Sequence, residues 1–195
     1  KFVPCITSLD VLTHDLGYSV VVVGDSTVAN DFPLYLGQAL YEDEDVTSVG
    51  VVGKGVLGNC MLYPGLGFGS YIYAESLLQR FTRDVLTQSG VKYVVVKIGV
   101  NDIIHPVGEF SNVFRPMSDL PTVEELIEGL KYYIKEARSY GYKVYVGTLL
   151  PIKGWRTYTP FREEMRNAYN DWIRQTDLID GCGDFDKALC DPDEP

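Results

Sequence analysis

The chain has 195 residues, 46% hydrophobic and 23% charged, a globular composition sufficient for one good-sized core but not two ordinary ones. Its formal net charge of −10 argues against nucleic acid or an anionic membrane surface as a partner, since both require clustered Lys and Arg. The four cysteines, Cys5, Cys60, Cys182 and Cys190, form no Cys-x-x-Cys pair and have no histidine cluster beside them, so no metal site is expected; their even number permits disulfides without demanding them.

Residues 1–17 have no clean helical or strand period and read as a lead-in packed on the domain edge. The first residue is Lys1, not Met, which trimming or removal of a signal peptide would explain. The compartment stays open, with secretion preferred to the cytoplasm, and no apolar run is long enough to span a bilayer. Val20 to Val23 then run unbroken into Gly24-Asp25-Ser26-Thr27, as expected of a parallel strand buried on both faces. Pro33 suits a helix start, and Leu34, Leu36, Ala39 and Leu40 give its stripe, ending near Tyr41. The acidic run 42–45 is a solvated loop, Val46 to Val52 a second strand, and Gly53 to Cys60 a glycine loop that fits no phosphate-binding signature. Ala74 to Leu86 reads as a helix and Val91 to Ile98 as a third strand, ending at Gly99-Val100-Asn101-Asp102.

A long loop over 105–120 follows. Thr122 to Tyr140 is the clearest helix, with Thr122 and Glu125 as a capping box and Gly141 as terminator. Lys143 to Leu150 is a fourth strand stopped by Pro151, and Thr159-Pro160 opens a helix expected to bury Phe161, Met165, Ala168, Tyr169 and Trp172. Leu178 to Phe185 is a short fifth strand, and Asp191 to Pro195 a polar loop. Strands alternating with helices, with no repeat or linker, predict one α/β domain over 1–195 with a parallel sheet of about five strands covered on both faces.

In such a sheet the strand ends Ser26, Gly58-Asn59 and Asn101-Asp102 lie side by side, where ligands are handled. A hydroxyl, a glycine N–H and a carboxamide at one place are the inventory for acyl transfer: a nucleophile and donors for the oxyanion. Capping of the next helix is the plainer reading of Asp25 and Ser26 taken alone. Asp25 and Asp102 are candidates for metal ligation, with supporting hydrogen bonds to the site or helix capping preferred. Trp155, Tyr158 and Phe161, and Tyr63, Phe68, Tyr71 and Tyr73, are candidates for a substrate wall, with packing as the plainer alternative.

VVVGDSTVAN, GVLGN and IGVND, in that order and each after a strand, resemble the first three blocks of the SGNH (GDSL) hydrolases, a family of esterases and acylhydrolases. The GDST form is similar to the carbohydrate-esterase branches. The resemblance spans Tyr18 to the end of the chain and implies a flavodoxin-like three-layer α/β/α fold and cofactor-free chemistry. It implies Ser26 as nucleophile, Gly58 and Asn101 as oxyanion donors, Asp25, Asn59 and Asp102 as supporting groups, and a small-molecule or carbohydrate ester as substrate. The family's Asp-x-x-His block has no counterpart here. His14 and His105 are the only histidines, and His105, four residues after Asn101, is a poorly placed base. The expectation is that the catalytic Asp and His lie outside this chain, in a cleaved, omitted or separately supplied C-terminal segment with which it associates. A non-catalytic ester- or carbohydrate-binding protein on the same fold is the alternative, and a flavin or nucleotide binder is disfavoured by the missing phosphate signature.

Overall fold

The computed structural model describes residues 9–13, 16–64, 75–108 and 115–191. Along the chain run β1 (Tyr18–Gly24), α1 (Ser26–Ala29), α2 (Phe32–Glu42), β2 (Val49–Gly55), α3 (Leu77–Phe81), β3 (Val91–Lys97), α4 (Val100–Ile104), α5 (Val123–Ser139), β4 (Lys143–Gly147), α6 (Pro160–Gln175), β5 (Gly181–Gly183) and α7 (Phe185–Leu189). A π-helical turn, Thr82–Leu86, extends α3, and a 3-10 turn spans Met117–Asp119. The five strands form one parallel sheet in the order β2-β1-β3-β4-β5, the flavodoxin-like arrangement.

Alternation along the strands divides the core in two. Val21, Val23, Val94, Val96, Val144 and Val146 face α3, α5 and α6 in the larger cluster, with Phe81, Leu126, Leu130, Tyr133 and Tyr169. Val20 and Val22 face the other way, with Val28 and the half-buried Phe32, Leu36 and Leu40 of α1 and α2. The N-terminus of α5 is the predicted capping box. Thr122 Oγ1 accepts from the Glu125 N–H at 3.1 Å, and Glu125 Oε2 accepts from the Thr122 N–H at 2.8 Å.

Several boundaries differ from the sequence expectation. The second strand begins at Val49, not Val46, because the Asp43 carbonyl and carboxylate hold residues 45 and 46 in a turn. It runs on through Gly53 and Gly55, which lie opposite Val22 and Gly24 of β1 and so are strand residues rather than loop. β4 stops at Gly147 because the Leu149 N–H and carbonyl are both taken by the Asn170 side chain, at 2.7 and 2.9 Å. The expected helix 74–86 is α3 plus its π turn, entered through a capping box of Ser76 and Gln79; Ala74 lies outside the described residues. Asn101 and Asp102 are on the short helix α4 rather than on a loop.

The buried face of α6 is Arg162, Met165, Arg166, Tyr169, Asn170 and Ile173, while Phe161 and Ala168 are exposed and Trp172 is half-buried. Arg162 and Arg166 take core-facing positions because their N–H groups are used by buried acceptors: Arg162 donates to the Ile103 and Pro106 carbonyls, and Arg166 to the Leu149 carbonyl and the Asp186 carboxylate. Among the described residues Cys60, Cys182 and Cys190 are free thiols, and no helix is long and apolar enough to cross a membrane.

Candidate active site

β1 delivers Asp25 and Ser26 at the carboxyl edge of the sheet. Asp25 is the N-cap of α1, its Oδ1 accepting from the Thr27 N–H and hydroxyl, both at 2.8 Å. Lys97, at the end of β3, donates from Nζ to the same Thr27 hydroxyl at 2.7 Å. Asp25 is fully buried and its Oδ2 has no hydrogen-bond partner among the described residues. Burial raises the pKa of its carboxyl group, opposed by the Lys97 charge and the Thr27 bonds; burial lowers that of Lys97, opposed by Asp25.

Ser26 is the first residue of α1 and is half-buried. With Thr27, Lys97, Val100 and Asn101 it lines one side of a cavity of about 430 Å³, whose other wall is Leu150 to Trp155. Asn101 is 5% exposed and donates from Nδ2 to the Asn59 carbonyl at 2.9 Å. A carboxamide has two N–H donors, so this bond fixes the side chain and leaves a second. Gly58 is on the adjoining turn, closed by the Asn59 N–H to the Val56 carbonyl at 3.2 Å, and its φ of +66° is the left-handed conformation that favours glycine. It is not among the residues lining the Ser26 cavity; it directly precedes the residue whose carbonyl holds Asn101.

Asn59 is fully buried, donating from Nδ2 to the Glu75 carbonyl at 2.8 Å and accepting at Oδ1 from Arg80 Nε and Nη2 at 3.1 and 2.9 Å. Arg80, which sequence reasoning missed, also donates to the carbonyls of Gly24 and Lys54 and to Asp84, each at 2.9 Å. One buried guanidinium thus ties together the ends of β1 and β2 and the Gly58-Asn59 turn. The available signal was a cation within the apolar stripe Leu77, Phe81 and Val85. Lys97, closing a valine-rich strand, was a second such signal.

Asp102 is 1% exposed and accepts from the Met61 and Leu62 N–H groups at 2.7 and 2.9 Å. Burial raises its pKa to about 6 despite these bonds. His105 caps the end of α4, is 6% exposed, and has Nδ1 3.9 Å from Cys60 Sγ. Burial, aided by the Arg115 and Arg156 charges, lowers its pKa to about 4, so the imidazole is neutral near pH 7. Among the described residues no histidine lines the Ser26 cavity, and His14 lies outside them.

Of the candidate aromatics, Trp155 lines the cavity, 47% exposed, with the Arg156 guanidinium 5.5 Å from its ring centre. Tyr158 packs on the core, Phe161 faces outward, and Tyr63 lies 5.1 Å below the Arg115 guanidinium. Phe68, Tyr71 and Tyr73 are outside the described residues.

Residues 15–195 match the model of the GDSL-like Lipase/Acylhydrolase family. By sequence, no curated protein matches. Solved structures share the fold. A lipase/acylhydrolase from Enterococcus faecalis is 18% identical, over 88% of this chain and 77% of that one, with a TM-score of 0.61. AlinE4, an SGNH-hydrolase family esterase, is 15% identical over 91% and 82%, with a TM-score of 0.62. The acetyl xylan esterase AlAXEase is 19% identical over 87% and 78%, with a TM-score of 0.62.

Proposed function

The chain belongs to the GDSL-like lipase/acylhydrolase family, and from that premise we propose that it is a serine ester hydrolase acting through an acyl-Ser26 intermediate. The observation that carries this reading is that Ser26 and Asn101, 75 positions apart in sequence, line one cavity, with the Asn101 carboxamide fixed by the Asn59 carbonyl. In the proposed reaction Ser26 Oγ attacks the ester carbonyl carbon and gives its proton to a base. The oxyanion is held by the second Asn101 N–H and the Ser26 backbone N–H, with the N–H of Gly58, on the adjoining turn outside the cavity lining, proposed as a third donor. Collapse expels the alcohol, which takes the proton, and water then releases the acid by the same route. The scheme needs no cofactor.

His105, the one histidine among the described residues, is buried and neutral and is not placed to serve as that base. We assign the role to an Asp–His pair outside these 195 residues. The substrate class proposed is an acyl or acetyl ester of a small molecule or carbohydrate, in keeping with the acetyl xylan esterase among the structural neighbours. The lack of a histidine in the cavity among the described residues favours, for the 195-residue chain by itself, a second reading as an ester- or carbohydrate-binding protein.

A fluorophosphonate probe separates the readings. A form of the protein carrying the Asp–His pair is expected to be labelled at Ser26 and to hydrolyse p-nitrophenyl acetate, and Ser26→Ala to do neither. The 195-residue chain is expected to lose most turnover. Resistance of the longer form to the probe would remove the covalent mechanism, and equal turnover by both forms would remove the external base.

A further inference from the structure

The chain carries a net charge of −10, yet the cavity beside Ser26 is lined by two cations, Lys97 and Lys153, and among the described residues by no carboxylate. Lys153 is exposed, whereas Lys97 is only 4% exposed and is held in place along its length. Its stem passes where Gly147 has no side chain: a Cβ there would stand 3.2 Å from Lys97 Cδ and 2.8 Å from the Phe185 ring. The centre of that ring is 5.9 Å from Lys97 Nζ, and the Thr27 hydroxyl accepts from Nζ at 2.7 Å. An ammonium has three N–H donors, and among the described residues one is used. The charges are ordered in depth. Thr27 donates its own hydroxyl proton to Asp25 Oδ1 at 2.8 Å, and Asp25, fully buried, does not line the cavity. The anion thus stands behind the hydroxyl and the cation in front of it, so a ligand in the cavity meets the positive end. The Asp25 charge also favours the protonated form of Lys97 against its burial. The remaining lining is largely apolar, with Val100, Ile104, Leu150, Ile152 and Trp155.

Building on the reading of Ser26 as an ester-cleaving nucleophile, we propose that Lys97 is the specificity-determining residue of this site, and that the esters it takes carry a carboxylate on an apolar or ring-shaped body. An ammonium already stripped of most of its water pairs with a carboxylate more strongly than one in bulk solvent, where the dielectric is high. The two Lys97 N–H groups not given to Thr27 receive the carboxylate. The body of the substrate lies along the apolar lining, with Trp155 as the wall for a ring, and the ester carbonyl is left to Ser26 and Asn101. The carboxylate belongs to the acyl part or to the alcohol part of the ester, and ligands of each kind tell the two apart.

Amide isosteres of the esters report binding without turnover. p-Acetamidobenzoate carries its carboxylate on the alcohol side and N-phenylsuccinamate on the acyl side; p-acetamidobenzamide and N-phenylsuccinamide are the neutral partners. In calorimetric titrations of the 195-residue chain, one carboxylate is expected to bind about tenfold more tightly than its neutral partner, and that pair assigns the side. Lys97→Met is expected to bring the ratio close to one, and Lys153→Gln to leave most of it. Where Lys97→Met does not fold, the NMR signal of the Lys97 ε-methylene in the native chain is expected to shift with the carboxylate and not with its neutral partner. Equal affinity within both pairs, or binding of none of the four, overturns the proposal. So does a silent Lys97 signal, or a preference that Lys153→Gln removes and Lys97→Met keeps. On the form carrying the Asp–His pair, equal kcat/KM for the matching carboxylate ester and its neutral partner overturns the proposal and leaves the esterase reading intact. No hydrolysis of either, with the binding preference kept, removes the esterase reading and leaves the Lys97 site.

Discussion

Replacing His105 by Gln removes a titrating group from a buried place while leaving a polar side chain there. His105 is 6% exposed and its pKa falls from 6.5 to about 4 on folding. Between those values the unfolded chain binds a proton here that the folded chain does not. The stability contributed through this group is therefore present near pH 7 and lost on acidification. At about 1.36 kcal/mol per pH unit, the loss between pH 6.5 and 4 is about 3 kcal/mol. Asp102 runs the other way. Its folded value of about 6 lies above the ordinary 3.8, so its contribution is fully present at low pH and falls by about 3 kcal/mol as the pH rises through the same range. The two nearly cancel in the native protein, and His105→Gln exposes the Asp102 slope. In urea unfolding from pH 4 to 7, the variant is expected to be destabilised by a fixed amount at pH 7. The gap to the native protein should then narrow by about 3 kcal/mol toward pH 4. A gap that does not change with pH would refute a buried, neutral imidazole.

Arg80→Met removes donors from Asp84, the Asn59 amide oxygen and the Gly24 and Lys54 carbonyls, and is expected to cost about 3–5 kcal/mol in chemical denaturation. A cost below about 1 kcal/mol would mean that the strand ends hold themselves. Asp25→Ala removes the cap of α1 and is expected to lower stability by about 1–2 kcal/mol in the same assay. Gly24→Ala would set a Cβ 1.9 Å from the Lys97 carbonyl oxygen, so little folded protein is expected by circular dichroism after expression. A native-like spectrum would show that β1 and β3 can move apart at their ends.

Valine runs and the glycines that end them made the sheet legible, because burial on both faces leaves a continuous apolar signature at β1 and β3. The capped α5 was legible because Thr122, Glu125 and Gly141 all act locally. What escaped was long-range. The start of β2 depends on an Asp43 turn, and the end of β4 on Asn170, a side chain from a later helix. The inner face of α6 contains two arginines whose partners come from α4, the loops and α7, so a stripe counted on apolar residues alone misassigned Phe161 and Ala168. At the site, Ser26 and Asn101 were readable as strand-end polar residues. Arg80 and Lys97 were not, since a buried cation becomes intelligible only once the carbonyls and carboxylates around it are known.

The cavity beside Ser26 has two walls with different anchorage. One, from the ends of β1 and β3 and from α4, is held by Arg80 and Asp102 to main-chain atoms far along the sequence. The opposite wall, Leu150 to Trp155, hangs from β4 and α6 through the Asn170 clasp on Leu149. Around the core-anchored Ile152, the exposed residues of 150–155 can therefore vary in chemistry without loosening the serine, giving the scaffold a replaceable jaw against a fixed anvil.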